Sequence, residues 1–215
     1  MSEINASKMH IISGNAEVLR YPLRNKDTYQ LFKADRNVII PDGISVYFPV
    51  KVKYKNCIKI PGIELMQELL VEFQNTGKSV YFLGAKKEVI EKMVKKFACL
   101  YPLLKVVGHH HGYFDKANTD DIIAEIKKSQ AYALFVALGT PAQENFIFKY
   151  MDELPCSVFM GVGGSFDVFS GTVKRSPRWM SNLGIEWLCR LFSDPSKFGR
   201  IFTNLKFTVS AFLRG

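Results

Sequence analysis

The sequence predicts an α/β protein with a Rossmann-like, mostly parallel sheet and helices on both faces. Short apolar runs alternate along the chain with longer amphipathic stretches, which is the pattern of parallel strands joined by helical crossovers. Glycine and proline follow the apolar runs, as expected where strands end. Because the carboxyl ends of parallel strands share one edge of the sheet, we expect a ligand site at that edge.

The predicted strands are short apolar segments. They are HIIS near His10, NVIIP at 37–41, SVYFLG at 79–84, LKVVG at 104–108, YALFVALG at 132–139 and CSVFMGVGG at 156–164. The predicted helices carry apolar residues three and four apart, and they cover 62–76, 86–99, 120–130 and 142–153. For the last of these helices, Thr140 is the predicted N-cap and Pro141 the first helical residue.

The composition changes after Pro177. Eight basic and two acidic residues lie from Lys174 onward, and apolar residues recur at three- and four-residue spacing over 195–215. A basic amphipathic helix of this kind can lie in a membrane interface or fold over the main domain. We therefore predict an α/β domain over 1–177 and a helical, basic, membrane-proximal appendage over 178–215. The apolar tail also calls for a partner surface, and a homo-oligomer would provide one.

The composition indicates which kinds of partner the protein binds and which cellular compartment it occupies. The chain has 215 residues, 47% of them hydrophobic, and a net charge of +9, so it can bury one substantial core and should meet something anionic. Nucleic acid is disfavoured because the positive residues accompany an apolar helix instead of an aromatic strand face or a recognition helix. The first residues lack the apolar core of a signal peptide, and no run reaches the length of a membrane span. We expect a cytoplasmic protein, peripheral at most to the inner face of the cell membrane.

The sequence indicates neither a metal nor a cofactor. The four cysteines are scattered without CxxC spacing, which fits reduced thiols. Three consecutive histidines, His109 to His111, cannot all face one ion from a regular element, and we expect them in a loop ahead of Gly112. The chain contains no GxGxxG fingerprint, no GxxxxGK[ST] loop and no DxD motif, so NAD and ATP hydrolysis are both disfavoured.

Polar residues follow several of the predicted strands. Asp42 in IIPDG either caps a turn or acts as a general base at the binding edge. Gln143 lies in the first turn of a helix whose N-terminus favours a diphosphate, although a well-made helix start explains it equally well. Asp167 stands beyond the last strand, behind glycines that let the backbone approach a ligand closely. Ser13 and Asn15 in SGNAE could offer a hydroxyl and an amide to a phosphate or a sugar.

Seven segments together carry a family resemblance. They are PDG at 41–43, KIPGIELM at 59–66, FLGA at 82–85, GYF at 112–114, ALGTPAQE at 137–144, GVGGSFDVFSGTVKRSPRWM at 161–180 and LGIEWLCRLFSDPSKFGR at 183–200. In this order they resemble the WecG/TagA/CpsF glycosyltransferases, glycosyltransferase family 26, over nearly the whole chain. The C-terminal segments are the most specific of the seven.

The resemblance implies an activity. Members of that family act at the cytosolic face of the membrane and move an N-acetylmannosamine-type sugar from UDP to a sugar on a polyprenyl diphosphate, for teichoic acid, common antigen or capsule. By resemblance, Asp42 is the catalytic base. The implied substrate-binding residues line the donor pocket or hold the diphosphate: Ser13, Asn15, Lys59, Gln143, Asp167, Arg190, Lys197 and Arg200. At positions 59 and 197 lysine replaces the family's arginine, which keeps the charge but loses the bidentate fork.

We therefore expect an inverting, metal-independent transferase, in which cationic side chains and a helix N-terminus stabilise the leaving diphosphate. Two alternatives stay open. A transferase of the same fold could use UDP-glucose, UDP-N-acetylglucosamine or a UDP-uronic acid. A non-catalytic nucleotide-sugar-binding subunit would keep Gln143 and Asp167 but would tolerate the loss of Asp42.

Overall fold

The computed structural model describes residues 8–24, 26–115, 119–175 and 180. Its strands are β1 (Met9–Gly14), β2 (Asn37–Pro41), β3 (Ser79–Gly84), β4 (Lys105–His110), β5 (Ala133–Ala137) and β6 (Val158–Gly161). Its helices are α1 (Ala16–Arg20), α2 (Lys26–Lys33), α3 (Ile44–Lys53), α4 (Gly62–Asn75), α5 (Lys87–Leu100), α6 (Thr119–Ser129), α7 (Ala142–Tyr150) and α8 (Ser165–Ser170). A single 3-10 turn at Pro22–Arg24 joins α1 to α2.

The six strands form one parallel sheet in the order β2-β1-β6-β5-β3-β4. In its centre, Ala133 of β5 pairs with Val80 of β3 on one side and with Val158 of β6 on the other. Every residue of β5 is buried, as expected for a parallel strand covered on both faces. The predicted α/β fold with a parallel sheet is confirmed.

The sheet buries a different set of side chains on each face, because successive strand residues point to opposite sides. Tyr81 and Leu83 of β3 belong to a cluster that also contains buried residues of α6 and α7, among them Ile126 and Ile147. Phe82 points the other way. Its ring lies 5.6 Å from that of Phe97 in α5 and 5.7 Å from that of Phe166 in α8, and it stacks on Phe135 of β5. Helices therefore cover both faces, as predicted.

The described residues form two compact units. The first contains 8–12, 34–38 and 62–173 without 116–118, and it holds the sheet core with helices α4 to α8. The second contains 13–33 without 25, then 39–61, 174, 175 and 180. It carries α1, α2, α3 and the last residues of β1 and β2.

Several elements differ from the prediction. Strand β4 extends through His109 and His110, which pair with Phe82 and Leu83 of β3, so the expected loop begins only at His111. Four helices were not predicted: α1, α2, α3 and α8. The predicted appendage over 178–215 lies outside the described residues apart from Met180, and its boundary stays a prediction. Among the described helices, none has the length and apolar content of a membrane span.

Candidate active site

In the second unit, backbone hydrogen bonds bring three candidate segments together. The Asp42 N–H donates to the Gly14 carbonyl over 3.2 Å, and the Ile60 N–H donates to the Pro41 carbonyl over 3.0 Å. Gly14 permits the first contact, because a Cβ there would lie 2.8 Å from the Ile40 carbonyl oxygen. The ends of β1 and β2 and the segment before α4 thus meet, which places the candidates Ser13, Asn15, Asp42 and Lys59 in one neighbourhood.

Asn15 has a structural task in this neighbourhood. It is the N-cap of α1, and its Oδ1 accepts the N–H groups of Glu17 at 3.0 Å and Val18 at 3.1 Å. A cap of this kind satisfies helix donors that have no partner within the helix. The engaged oxygen leaves the Nδ2 amino group as the part of Asn15 that a ligand would contact. Ser13 is half-buried beside it, and its carbonyl accepts the Asn15 N–H over 2.9 Å.

Asp42 is half-buried and lies between the last residue of β2 and the start of α3. The cap position of α3 belongs to Gly43, so Asp42 is not the capping residue of that helix. A carboxylate just ahead of a helix N-terminus is stabilised in its ionised form by the helix dipole. The ionised form is the one that accepts a proton in general-base chemistry. Lys59, also half-buried, is next to Ile60, whose N–H contacts Pro41.

In the first unit, the buried side chain of Gln143 is held at both ends of its amide. Its Oε1 accepts the Gly163 N–H over 3.0 Å, and its Nε2 donates to Glu144 Oε1 over 2.8 Å. A Cβ on Gly161 would lie 2.7 Å from Nε2, so only glycine leaves room for this side chain. Gln143 therefore ties the start of α7 to the glycine segment after β6.

Asp167 borders the same glycine segment from the other side. It is half-buried in the first turn of α8, and its Oδ2 lies 3.9 Å from where a Cβ on Gly164 would stand. Its backbone carbonyl accepts the Ser170 hydroxyl at 2.9 Å and the Val173 N–H at 3.0 Å. The structure thus brings Gln143 and Asp167 to one loop, 161–164, at the carboxyl end of β6.

The start of α7 differs from the prediction. Pro141, not Thr140, occupies the N-cap position, and the peptide bond between these two residues is cis. The Thr140 hydroxyl instead faces Glu144 Oε1 at 3.5 Å. Glu144, 2% exposed, is the polar residue of this corner that the sequence analysis left unassigned. An acid in the first turn of a helix beside an implied pocket residue was the signal that could have identified it.

Two open surface depressions of about 350 and 570 Å³ lie at the carboxyl ends of β3 and β4, and both are lined by His111 and Tyr113. Lys86, Lys87 and Glu88 line the smaller depression, and the sequence analysis had not singled these residues out. Gly112 closes the corner: its N–H donates to the Ala85 carbonyl over 2.8 Å, and a Cβ there would lie 3.0 Å from the Gly84 Cα. The lining thus mixes lysines with the acids Glu88 and Asp115 and with the largely exposed ring of Tyr113.

Two of the three consecutive histidines, His110 and His111, contact each other. The rings of His110 and His111 lie 4.4 Å apart, and His110 Nδ1 is 2.7 Å from the His111 carbonyl oxygen. Within the described part of the chain, no group of three or more His, Cys, Asp or Glu residues could hold a metal ion. The remaining predicted site residues, Arg190, Lys197 and Arg200, lie outside the described residues, and their roles stay predictions.

Comparison with known proteins supplies the family context. A family model described as "Glycosyl transferase WecG/TagA/CpsF family" matches residues 1–215. The chain is 34% identical over 197 residues to an N-acetylglucosaminyldiphosphoundecaprenol N-acetyl-beta-D-mannosaminyltransferase of Bacillus subtilis (strain 168). The aligned residues cover 91% of this chain and 76% of that relative. A protein of the same name from Bacillus spizizenii (strain ATCC 23059 / NRRL B-14472 / W23) is 34% identical over 201 residues, with 93% and 77% covered.

Proposed function

The chain belongs to the WecG/TagA/CpsF glycosyltransferase family, and from this membership we propose that it transfers an N-acetylmannosamine-type sugar from a UDP-sugar to a sugar on a polyprenyl diphosphate. The product would enter bacterial cell-surface polysaccharide or teichoic acid synthesis. The observation that carries the proposal is the similarity, over more than nine-tenths of the chain, to two transferases whose names state that sugar and that kind of acceptor.

Asp42 is the proposed general base. The acceptor hydroxyl loses its proton to the Asp42 carboxylate while its oxygen attacks the anomeric carbon of the donor. A new carbon–oxygen bond forms on one face of the sugar, and the bond to the diphosphate oxygen breaks on the other, so the configuration inverts and UDP leaves. Support comes from the position of Asp42 at the end of β2, where hydrogen bonds from the Asp42 N–H to Gly14 and from the Ile60 N–H to Pro41 bring the segments of the implied donor-pocket residues next to it.

The remaining site residues are proposed to hold the donor. Asp167 would contact the uracil, and Gln143 would shape the pocket through the glycine loop that it fixes with its amide. Ser13, Asn15 and Lys59 would line the donor pocket near Asp42. The leaving diphosphate would be stabilised without a divalent metal, by Arg190, Lys197 and Arg200 together with a helix N-terminus.

The proposed place of action is the inner face of the cell membrane, because a polyprenyl-linked acceptor is confined to the bilayer. The enzyme would be peripheral there. Two alternatives to the proposed activity stand beside it: transfer from another UDP-hexose, and nucleotide-sugar binding without catalysis.

A donor panel separates the proposal from both alternatives. The full chain is incubated with a synthetic lipid-diphosphate acceptor and, in turn, UDP-N-acetylmannosamine, UDP-N-acetylglucosamine, UDP-glucose and UDP-glucuronic acid. UDP release and the extended lipid are measured, with the acceptor omitted as the control. We expect acceptor-dependent product mainly from UDP-N-acetylmannosamine. Faster transfer from another donor would replace the proposed sugar, and nucleotide-sugar binding without any product would contradict an enzymatic role.

A further inference from the structure

Helix α3 and the turn after it expose an unusual surface, called here the α3 patch. Its apolar members are Phe48, Val52, Tyr54 and Ile58, which are 54, 62, 62 and 72% exposed. Exposed lysines stand between them at positions 51, 53 and 55. Single exposed apolar side chains are ordinary on a protein surface, whereas several together mark a contact surface.

Hydrogen bonds fix the shape of this segment. The Tyr54 N–H donates to the Val50 carbonyl over 2.7 Å and continues the last turn of α3. The Cys57 N–H then donates to the Tyr54 carbonyl over 3.0 Å, and Lys51 Nζ donates to the Cys57 carbonyl over 3.1 Å. The chain after the helix therefore folds back as a turn that presents Tyr54 and Ile58 beside the helix.

The patch is also tied to the candidate catalytic residue. The chain leaves β2 at Pro41, and the Ile60 N–H returns to bond the Pro41 carbonyl. The excursion over 43–59 thus begins and ends next to Asp42, within the same unit. A surface that binds the patch would lie one short helix away from the proposed base.

The charge of the segment indicates what binds there. Residues 44–58 contain three lysines, Lys51, Lys53 and Lys55, and no acidic residue. In a protein–protein interface, lysine is depleted and the charges surround an apolar centre, but here lysines alternate with apolar side chains. The headgroup region of an anionic bilayer matches that mixture, because an interfacial segment buries its apolar side chains about 5–10 Å into the boundary between headgroups and acyl chains while its basic side chains are attracted to anionic lipid.

We propose that the α3 patch docks on an anionic lipid bilayer, with its lysines at the phosphates and its apolar side chains among the upper acyl chains. The choice of a bilayer rests in part on the proposed function, since a lipid-anchored acceptor would then reach Asp42 at the base of the docked segment. The proposed contact lies in 48–58 and does not depend on the appendage predicted over 178–215.

The test uses the full chain and co-sedimentation with vesicles of phosphatidylcholine and phosphatidylglycerol in equal parts, compared with phosphatidylcholine alone. One variant, Lys53→Glu with Lys55→Glu, reverses two patch charges. Its matched control is Lys92→Glu with Lys95→Glu, two exposed lysines of α5, which changes the net charge equally. A second variant, Val52→Asn with Ile58→Asn, is matched by Leu100→Asn with Leu103→Asn, which are 56 and 73% exposed.

We expect the charge variant to weaken binding to the anionic vesicles about tenfold or more, because a basic residue at such a surface is worth roughly a factor of five in partitioning. The apolar variant should weaken binding about tenfold or more as well, because it removes two apolar side chains whose burial favours binding by about 1.5–3 kcal/mol each when complete. The matched controls should bind as the unchanged chain does. Thermal unfolding checks that all four variants fold. Transfer to a short, water-soluble acceptor should be equal in the patch variants and the unchanged chain.

Three results would overturn the inference: undiminished vesicle binding by both patch variants, equal losses in the patch variants and their controls, or a dimer in sedimentation velocity that Val52→Asn with Ile58→Asn splits while vesicle binding persists. The last result would assign the patch to a second copy of the chain. Failure of the proposed function has a different signature, because the unchanged chain would then transfer no sugar while its vesicle binding still depended on the patch.

Discussion

At the scale of single residues, Asp42 is central because it is the proposed general base. It follows β2, precedes α3 and is fixed to Gly14 through its own backbone N–H. Those backbone contacts do not require its carboxylate. A substitution of the side chain therefore leaves the donor of this backbone hydrogen bond in place.

Asp42→Asn should lower kcat by roughly 10²–10⁴, the usual size of a general-base contribution, because the amide keeps the shape but cannot accept the proton. Asp35→Asn is the matched control, an exposed aspartate that precedes β2. Steady-state rates with the lipid-linked acceptor and urea unfolding of both variants are the measurements. If Asp42→Asn turned over at the unchanged rate, Asp42 would have no part in proton transfer.

Gln143 illustrates a second kind of residue, one that acts through its neighbours. Its amide joins Gly163 to Glu144 in a buried corner. The loss of a buried hydrogen bond lowers stability strongly, because the groups left behind cannot form hydrogen bonds with water instead. We therefore expect a substitution of Gln143 to lower the free energy of unfolding more than the same substitution of a surface glutamine.

Gln143→Leu should lower the free energy of unfolding by roughly 1–3 kcal/mol and reduce transferase activity through the displaced glycine loop. Gln74→Leu is the control, since Gln74 Oε1 also accepts a backbone N–H, from Leu103, but in an exposed bond of 3.1 Å. Its cost should stay below about 1 kcal/mol. Equal urea stabilities of the two variants would contradict the role assigned to the buried amide.

At the scale of elements, glycines decide how closely the strand ends approach each other. Gly84, the last residue of β3, has φ of +133°, and a Cβ there would lie 2.3 Å from the Ala137 carbonyl oxygen. The Ala85 N–H donates to that same carbonyl over 3.0 Å. The junction of β3 and β5 therefore depends on the absence of a side chain at Gly84. It lies beside the depression lined by Lys86 and Lys87.

Gly84→Ala should destabilise the fold by about 3 kcal/mol or more, because the methyl group meets backbone that cannot move aside and φ is unfavourable. Gly77→Ala is the comparison: φ is +66°, and the nearest atom is Lys105 Nζ at 3.6 Å. Its cost should be about 1–2 kcal/mol, from the left-handed backbone alone. Thermal melts of the two variants would disprove the crowding argument if their midpoints fell together.

The elements also show where local pattern is informative. Strands β2 and β3 occupy the predicted residues, and α4 to α7 begin within one residue of the prediction. Helix α3 was missed because its sequence, ISVYFPVKVK, is rich in β-branched residues and contains Pro49, features that disfavour helix. Helix α8 was missed because six residues carry too little periodicity to register.

At the scale of the whole molecule, burial in the core changes the pKa of one titratable side chain, His10. His10 lies in β1, fully buried, with its ring 5.0 Å from that of Phe148. Burial is the main cause that lowers the pKa of His10 from 6.5 to about 3; the neighbouring Asn37 side chain opposes the shift, and the charge of Arg36 adds to it. The folded state thus keeps this imidazole neutral through the whole mildly acidic range.

Stability should consequently fall in mild acid. Between pH 6.5 and pH 3, His10 is protonated in the unfolded chain but neutral in the folded chain. The free energy of unfolding therefore rises with pH in that window. From pH 7.5 to pH 4.5 the loss from this group is on the order of 3 kcal/mol. His10→Leu and His10→Gln should both flatten the pH dependence measured by urea unfolding. A slope unchanged in both variants would remove His10 as its source.

The sequence by itself determined the six strands, four of the eight helices, the parallel α/β fold and the family, and it named candidate residues at the strand ends. It could do so because burial against a sheet leaves a periodic apolar pattern in the chain itself. Only the tertiary structure decided that Asn15 caps α1, that Gln143 is held between Gly163 and Glu144, and that α3 exposes an apolar, lysine-rich surface. Side-chain partners and exposure depend on which distant segments the folded backbone brings together, as when the Ile60 N–H meets Pro41, and no local pattern encodes that path.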